Sequence, residues 1–477
     1  MSIKVYSTLT QTKEEFESHN GKVGIYVCGV TPYSNTHLGH ARPSVVWDVI
    51  KKYLRYRGYA TYHVQNFTDI DDKIINRANE LGMDPLALSA HYAQDYLESM
   101  DALEVERADL YPRVSEHIPD IIAMISALIE RGHAYAVNGN VFYDVTSFPE
   151  YGKLSNQRLE ELQAGTRFEV DPDKRHPLDF ALWKKAKPNE PAWDSPWGKG
   201  RPGWHIECSA MSHKYLGSAF EFHGGGSDLI FPHHENEIAQ TEGATGQPLA
   251  KYWLHNGMLN IKNAKMSKSQ GNFITIKEAL QKYPKELLRF FILASHYRSD
   301  LEYYDAKMDE VGRGWQRLND CVAALAELVQ DVEISEQVLT GDAARLMQAV
   351  IQAEEEFIAA MDDDFNTALA IGVLFDLVHK VNAFIAQGSR DDQALYALKQ
   401  AYLLFQKLAG DILGILKLQK QELTGLTQPL MQLLLELRGQ LRQQKNYQLA
   451  DYIRDELAKL NIVIEDTPQG SRWKMRV

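Results

Sequence analysis

The chain has 477 residues, 24% charged and 44% hydrophobic, with a formal net charge of −13. That length suits about three domains, the composition is that of an ordinary globular protein, and the acidic balance argues against a general nucleic-acid binder. Three cysteines cannot build a disulfide scaffold, which predicts a reducing, cytoplasmic setting, and no apolar run reaches the ~18 residues of a membrane helix. The first residues, Met1 to Val5, lack the basic and apolar regions of a signal peptide.

Val23 to Val30 is a short apolar run with β-branched residues, the pattern of a buried parallel strand. Gly39 to Arg57 follows as a helix. Val46, Val49, Ile50, Tyr53 and Leu54 recur at its period, and Pro43 is tolerated only near its first turn. Gly58 ends it, and Thr61 to Asn66 is the next strand. This predicts a βαβ unit with His37 and His40 at the strand-to-helix crossing, where a helix N-terminus offers free N–H groups to phosphate.

Between Pro112 and Arg201 the pattern changes. Ile118 to Arg131 is an amphipathic helix, and Asn138-Gly139 between two short apolar runs signals a type I′ hairpin. A Pro- and Trp-rich stretch from Pro188 to Trp197 leads back. The segment is predicted to be an insertion splitting a nucleotide-binding domain. Its second half resumes near Gly203, with strands at Ala219–His223 and Tyr252–Ile261. Pro232 is predicted to open a helix carrying His233 and Glu237 four apart, on one face.

Beyond residue 310 the pattern is helical, with apolar stripes over Ala323–Val332, Leu346–Met361, Ala368–Phe384 and Ala394–Leu418. Asp362, Asp363 and Asp364 are candidates for a helix start. From Gln428 the expectation is two helices and a hairpin, Ile462–Glu465 with Arg472–Met475. Local basic faces are Lys51, Lys52, Arg55 and Arg57, then Arg438, Arg442 and Lys445, then Arg472, Lys474 and Arg476. Each alone suits a solvated face or tail.

Two motifs carry chemistry. His37-Leu38-Gly39-His40 lies at the crossing, and Lys265-Met266-Ser267-Lys268-Ser269 lies more than two hundred residues later. Two lysines on a Ser-rich loop suit a leaving pyrophosphate, and two histidines at a helix mouth suit the opposite side. The pair points to activation of a carboxylic acid by ATP. Separately, Cys28, Cys208, His233 and Glu237 supply two thiolates, an imidazole and a carboxylate, a tetrahedral zinc set. Their spacing is scattered, and a single buried cysteine is more often a small hydrophobe, the role assigned to Cys321. Four protein ligands suit a structural zinc. A weakly held Glu237 would instead leave zinc free to accept a substrate thiolate.

These motifs, with Tyr26-Val-Cys-Gly29, Thr68-Asp-Ile-Asp-Asp-Lys73, Gly203-Trp-His-Ile-Glu-Cys-Ser-Ala210, His223-Gly-Gly-Gly-Ser-Asp228, Phe231-Pro-His-His-Glu-Asn-Glu-Ile238 and Asp362-Asp-Asp-Phe-Asn-Thr367, resemble the class I aminoacyl-tRNA synthetases. They closely resemble the cysteine-specific family among them, and the likeness runs along essentially the whole chain. Leu38 replaces the family's isoleucine, an apolar swap of similar volume.

The resemblance implies an α/β fold. A Rossmann-type parallel-sheet catalytic domain occupies 1–112 and 202–262, with a connecting-peptide insertion at 113–201. The signature-loop and stem-contact region is 263–310, a helical bundle is 311–420, and a C-terminal anticodon-binding module is 421–477. It implies one zinc on Cys28, Cys208, His233 and Glu237. It also implies ATP with Mg²⁺ held by His37, Gly39, His40, Lys265, Met266, Ser267, Lys268 and Ser269, and an amino-acid pocket near Gly29, Thr68, Trp204 and Asp228. The implied partners are L-cysteine, ATP and tRNA(Cys), bound through its acceptor end and anticodon, with no membrane and with a monomeric chain.

Two alternatives remain open at this stage. One keeps the activation and passes the product to a small amine; the helical half beyond residue 310 favours tRNA instead. The other is a non-catalytic RNA-binding paralogue, disfavoured because every signature His and Lys is present. Trp473 could stack on an anticodon base or close a small hairpin core.

Overall fold

The structure is a computed structural model that describes residues 2–18, 20–159, 172–188, 190–261, 264–265, 273–329, 335–417, 423–444, 446–459, 462–467 and 470–475. It opens with a hairpin, β1 (Lys4–Ser7) against β2 (Thr12–Glu15). Strand β3 (Lys22–Val30) then enters the core, burying Val23, Ile25, Tyr26 and Val27. Helix α1 (Leu38–Tyr56) buries Leu38, Ala41, Val45, Val46, Val49, Ile50, Tyr53 and Leu54 on one stripe. Pro43 lies inside α1, one turn later than expected, where it removes the hydrogen bond to the Gly39 carbonyl. Strand β4 (Ala60–Phe67) returns parallel to β3 and completes the βαβ unit.

Helices α2 (Asp72–Leu81) and α3 (Pro85–Ala102) follow, capped by Asp71 and Asp84. Neither is among the predicted elements. In the insertion, α4 (Ile118–Glu130) precedes an antiparallel sheet of β5 (Ala134–Val137), β6 (Asn140–Tyr143), β7 (Phe180–Lys185) and β8 (Gly200–Pro202). Asn138 and Gly139 have φ of 50° and 88°, the left-handed pair a type I′ turn requires.

The second half runs through α5 (Trp204–Leu216), β9 (Phe220–Gly226), α6 (Glu235–Thr245) and β10 (Ala250–Asn256). The central sheet is wholly parallel in the order β10-β9-β3-β4. Its two halves meet where β3 pairs with β9, Tyr26 opposite His223. Ligands of open α/β sheets bind beyond the strand ends at such a switch. Gly224 permits close approach there: a Cβ on it would lie 2.0 Å from the Trp47 ring of α1.

The strand expected over Tyr252–Ile261 is two, because Gly257 and Met258 separate β10 from β11 (Leu259–Ile261). β11 pairs with β12 (Ala264–Lys265), and α7 (Ile276–Lys282), α8 (Lys285–Leu293) and β13 (Leu301–Tyr303) follow. The helical region comprises α9 (Asp305–Val329), α10 (Gly341–Asp362), α11 (Thr367–Ala386) and α12 (Asp392–Phe405), the last continued by a π-helical stretch to Ile412. α11 is long and apolar enough to cross a membrane, with a mean hydropathy of 1.6. It carries Asp376 and Lys380 and buries Ala370, Leu374, Leu377 and Val381 within the helical layer.

Two local expectations need correction. Asp362 ends α10 and Asp363 caps it, while Asn366 caps α11 by accepting from the Leu369 N–H at 3.0 Å. A turn, rather than a helix start, is what the three aspartates build. Likewise α6 begins at Glu235. Phe231 is extended and Ile230–His234 forms one wide turn, so His233 and His234 precede the regular helix.

Residues 1–416 form one compact unit, and one hydrophobic core runs from Ile3 through α1 into α9, α10, α11 and α12. Asp48 of α1 and Arg289 of α8 are fully buried within it as an ion pair at 2.6 Å. Residues 417–477 form a second unit: α13 (Leu423–Gln443), α14 (Tyr447–Lys459) and the hairpin β14 (Ile462–Thr467) with β15 (Gly470–Met475).

Candidate active site

A cavity of about 580 Å³ opens at the switch point, lined by Cys28, Gly29, Tyr33, His37, Gly39, His40, Lys73, Asp228 and Met258 among others. His37 precedes α1 in extended conformation, and the His37 and His40 rings stack with centroids 3.8 Å apart. The His37 N–H donates to His40 Nδ1 at 3.3 Å, so the pair is locally fixed. Gly39 keeps that space open, since a Cβ would lie 2.9 Å from the His37 ring. Burial lowers the His37 pKa to about 4. Burial, then the neighbouring His37, lowers that of His40 well below its usual value, with Asp95 opposing. Both rings are therefore neutral hydrogen-bonding groups near pH 7.

A buried cluster of ligand-type side chains stands at one wall. Cys28 Sγ lies 3.8 Å from Cys208 Sγ and 3.3 Å from Glu237 Oε1, and His233 Nε2 lies 3.0 Å from Glu237 Oε1. His234 Nε2 is 3.2 Å from Cys28 Sγ. Ligand atoms of Cys28, His233, His234 and Glu237 all fall within 4.8 Å of one another. Each element contributes for a local reason: Cys28 ends β3, Cys208 lies on the buried face of α5, and the wide turn before α6 turns His233 and His234 inward.

The electrostatics suit a cation. The hydrogen bond from Cys28 lowers the Cys208 pKa against burial, while burial raises that of Cys28. Burial opposes charge on Glu237 and His233. Even so, His223 and His233 hold the Glu237 carboxyl well down, and Glu237 holds the His233 ring up. The cluster thus keeps a proton between carboxylate, thiolate and imidazole, the place a metal ion would take. Tetrahedral zinc, with bonds of about 2.0–2.3 Å, separates its ligand atoms by roughly 3.3–3.8 Å. The Cys28–Cys208 and Cys28–Glu237 separations fall in that range, and His233–Glu237, at 3.0 Å, is a hydrogen-bond distance shorter than it.

An outer ring of polar groups surrounds it. His223 Nε2 is 2.8 Å from Glu237 Oε2, His205 Nδ1 is 2.9 Å from His233 Nδ1, and His255 Nε2 is 2.8 Å from His234 Nδ1. Asn66 Oδ1 accepts from the Gly29 N–H at 2.9 Å and the Tyr26 hydroxyl at 3.1 Å. Trp204, exposed on its far side, stacks on His233 with centroids 4.3 Å apart. Thr68 is buried, its hydroxyl 3.3 Å from Asn66 Nδ2.

Residues 14–313 match the family described as tRNA synthetases class I (C) catalytic domain, and residues 356–417 match the DALR domain. A cysteine--tRNA ligase of Heliobacterium modesticaldum is 50% identical over 488 residues, covering 99% of this chain and 100% of that one. One from Pelotomaculum thermopropionicum is 51% identical over 490 residues, covering 99% of each. The chain belongs to the class I cysteine--tRNA ligase family. Members of that family are ligases, EC 6.1.1.16. The fold is also that of a Mycobacterium tuberculosis methionyl-tRNA synthetase in complex with methionyl-adenylate, with a TM-score of 0.63 at 15% identity, covering 82% of this chain and 93% of that one.

Against this family background, Cys28, Gly29, His37, Gly39, His40 and Asp228 line one cavity, and Cys208, His233 and Glu237 stand behind Cys28. Lys265 is placed by its backbone in β12, opposite Asn260. Met266, Ser267, Lys268 and Ser269 lie outside the described residues. Trp473 sits in β15 opposite Ile464. Cys321 is buried in α9, its thiol pushed up to about 12 by burial.

Sequence reasoning missed His234, Asn66, Tyr33 and Lys73. His234 adjoins a chosen ligand, and Lys73 closes the Thr68–Lys73 motif, so both carried a signal. Asn66 and Tyr33 carried none.

Proposed function

We propose that this chain couples L-cysteine to tRNA(Cys) through a cysteinyl-adenylate. The observation that carries the proposal is the shared cavity: the Cys28 wall of the metal-type cluster and the His37–His40 helix mouth face the same 580 Å³ space. A carboxylate held there attacks the α-phosphorus of ATP, the α–β bridging P–O bond breaks and pyrophosphate leaves. The terminal hydroxyl of tRNA then attacks the carbonyl carbon and AMP leaves.

Neutral His37 and His40, with the N–H groups of the α1 N-terminus, donate hydrogen bonds to phosphate oxygens as charge develops. Lys265 and Lys268 are assigned to the β- and γ-phosphates, with Mg²⁺ accompanying ATP, and Met266, Ser267 and Ser269 to the loop that carries Lys268. Gly29, Thr68, Trp204 and Asp228 are assigned to the amino acid, Gly29 and Asp228 from their place in the cavity. Recognition of tRNA is assigned to the 263–310 stem-contact region and the 421–477 module.

Cys28, Cys208, His233 and Glu237 would hold zinc, which when bound supplies a Lewis acid that prefers a substrate thiolate to a hydroxyl. Such a preference is needed because shape alone separates serine from cysteine by only about 100-fold. His234 is the competing fourth ligand. The lowered pKa of Cys208 favours Cys208, whereas His234 keeps Nε2 directed at Cys28 with Nδ1 held by His255, the arrangement of a supported metal ligand.

Two measurements test this: zinc content by mass spectrometry and cysteine-dependent pyrophosphate exchange. Cys28→Ser and Cys208→Ser are expected to lose zinc and cysteine selectivity, whereas His234→Asn retains zinc. Cys28→Ser that still prefers cysteine over serine at wild-type level refutes the zinc assignment. Charging of tRNA, rather than of a small amine, separates the ligase from its activating relatives.

A further inference from the structure

Among the described residues, Asp364 and Phe365 are the only consecutive non-glycine residues in the left-handed region, at φ 65° and 50°. Such backbone costs of order 1 kcal/mol per residue or more and persists only where surroundings over-determine it. Here they do. Asp364 is fully buried; its Oδ1 accepts from the Tyr6 N–H at 2.9 Å and the Tyr297 hydroxyl at 2.8 Å, and its Oδ2 accepts from Arg298 Nε at 2.8 Å. His296 Nε2 lies 3.5 Å from the same oxygen. Phe365 packs edge-on to Tyr53 of α1 and Phe222 of β9.

The flanking aspartates only fasten the turn. Asp362 binds Tyr53 and Arg57 of the α1 end, and Asp363 binds Lys13 at the surface. Asp364 differs because its partners continue towards the nucleotide cavity. The Tyr297 carbonyl accepts from the Gly257 N–H at 2.8 Å and from Arg42 at 3.3 Å. Arg42, buried in α1 two residues after His40, also donates to the carbonyls of Met258, at 2.7 Å, and Ser299. The Met258 N–H in turn donates to Asp300 at 2.8 Å. Gly257, Met258 and Leu259 form the cavity wall facing His37 and His40. A Cβ on Gly257 would lie 2.4 Å from the Ser299 carbonyl, so this wall and the 296–299 strap are in direct backbone contact.

We propose that Asp364, in the turn between α10 and α11, is a positioning residue for the nucleotide cavity. It clamps the 296–299 strap, and the strap holds the Gly257–Met258 wall against Arg42 and the His37–His40 helix. The proposal rests on the assignment of that cavity to ATP. It adds a route by which the helical layer, far along the sequence, sets the width of the nucleotide site.

Equilibrium dialysis of the full chain with ATP alone, run beside cysteine-dependent exchange, tests it. Asp364→Ala should weaken ATP binding about tenfold and raise the KM for ATP with a smaller change in kcat, as displacement of a binding wall requires. Asp364→Asn keeps an oxygen for Tyr6 and Tyr297 and tolerates the left-handed backbone, so it should recover most of the loss. Lys13→Ala, which loosens the same turn at the surface, should leave ATP binding unchanged. A folded Asp364→Ala with wild-type ATP affinity overturns the proposal. If that variant does not fold, Tyr297→Phe decides: a threefold or larger loss supports the clamp, and wild-type affinity overturns it. Wild-type protein that binds ATP in an Asp364-dependent way yet shows no cysteine-dependent exchange would sink the proposed reaction and leave this inference standing. Wild-type protein that binds no ATP would remove both.

Discussion

Gly29 offers the sharpest test of how the fold builds the site. A Cβ on this residue would lie 1.4 Å from the Asn66 carbonyl oxygen and 2.4 Å from its carbon, both backbone atoms of β4. To reach even 3.0 Å the oxygen must retreat by about 1.6 Å, and no side-chain rotation provides that. Overpacking of this kind costs about 1–3 kcal/mol. Asn66 Oδ1 also holds the Gly29 N–H and the Tyr26 hydroxyl, and two disturbed hydrogen bonds add about 1 kcal/mol each. Gly29→Ala should therefore destabilise the protein by about 3–5 kcal/mol. It should also displace Cys28, the adjacent residue, from Cys208 and Glu237. Urea denaturation measures the first effect, and zinc content with the KM for cysteine the second. A Gly29→Ala protein with wild-type stability and wild-type KM would refute the reasoning, because the Cβ has no space unless β3 and β4 pair differently.

Other expectations are simpler. Gly372 is exposed in the middle of α11, and a methyl group added there would meet nothing within 4 Å. Gly372→Ala should gain up to about 1 kcal/mol, read as a raised melting temperature. The pH dependence follows from His37, whose folded pKa of about 4 lies below its unfolded value. Between roughly pH 6.5 and 4 the unfolded chain binds a proton that folded His37 refuses, so stability falls as pH falls through that window. The fall reaches about 3 kcal/mol from this group. His37→Asn should show a shallower loss between about pH 7 and 5 in urea titrations, and an unchanged slope would contradict the burial argument.

Much of the catalytic half was legible because its signals are local. The alternation from apolar run to period-3.6 stripe marked β3, α1 and β4, and Asn138-Gly139 marked a hairpin whose φ values follow from turn chemistry. Helix α3 has a weak apolar stripe, whereas α2 carries a clear one in Ile74, Ile75 and Ala78 but is only ten residues long and starts inside the Thr68–Lys73 motif. The three aspartates of 362–364 misled because an acidic run ordinarily suits a helix start. Here α1 claims the Asp362 carboxylate, Lys13 of β2 that of Asp363, and β1 with the 296–299 strap that of Asp364, and the cap falls to Asn366.

By itself the sequence pointed to the kind of chemistry, through His37, His40 and the Lys265–Ser269 loop, while the scattered Cys28, Cys208, His233 and Glu237 set rested on the family resemblance. Only the tertiary structure decided that Cys28 of the cluster and the helix mouth line one cavity. It also revealed that His234 competes for the metal-type position and that Asp364 lies behind the cavity wall. These are proximities between segments up to some hundreds of residues apart. They depend on which strands pair and which turns bring side chains inward, and no local pattern encodes a distance of about 3 or 4 Å across that span.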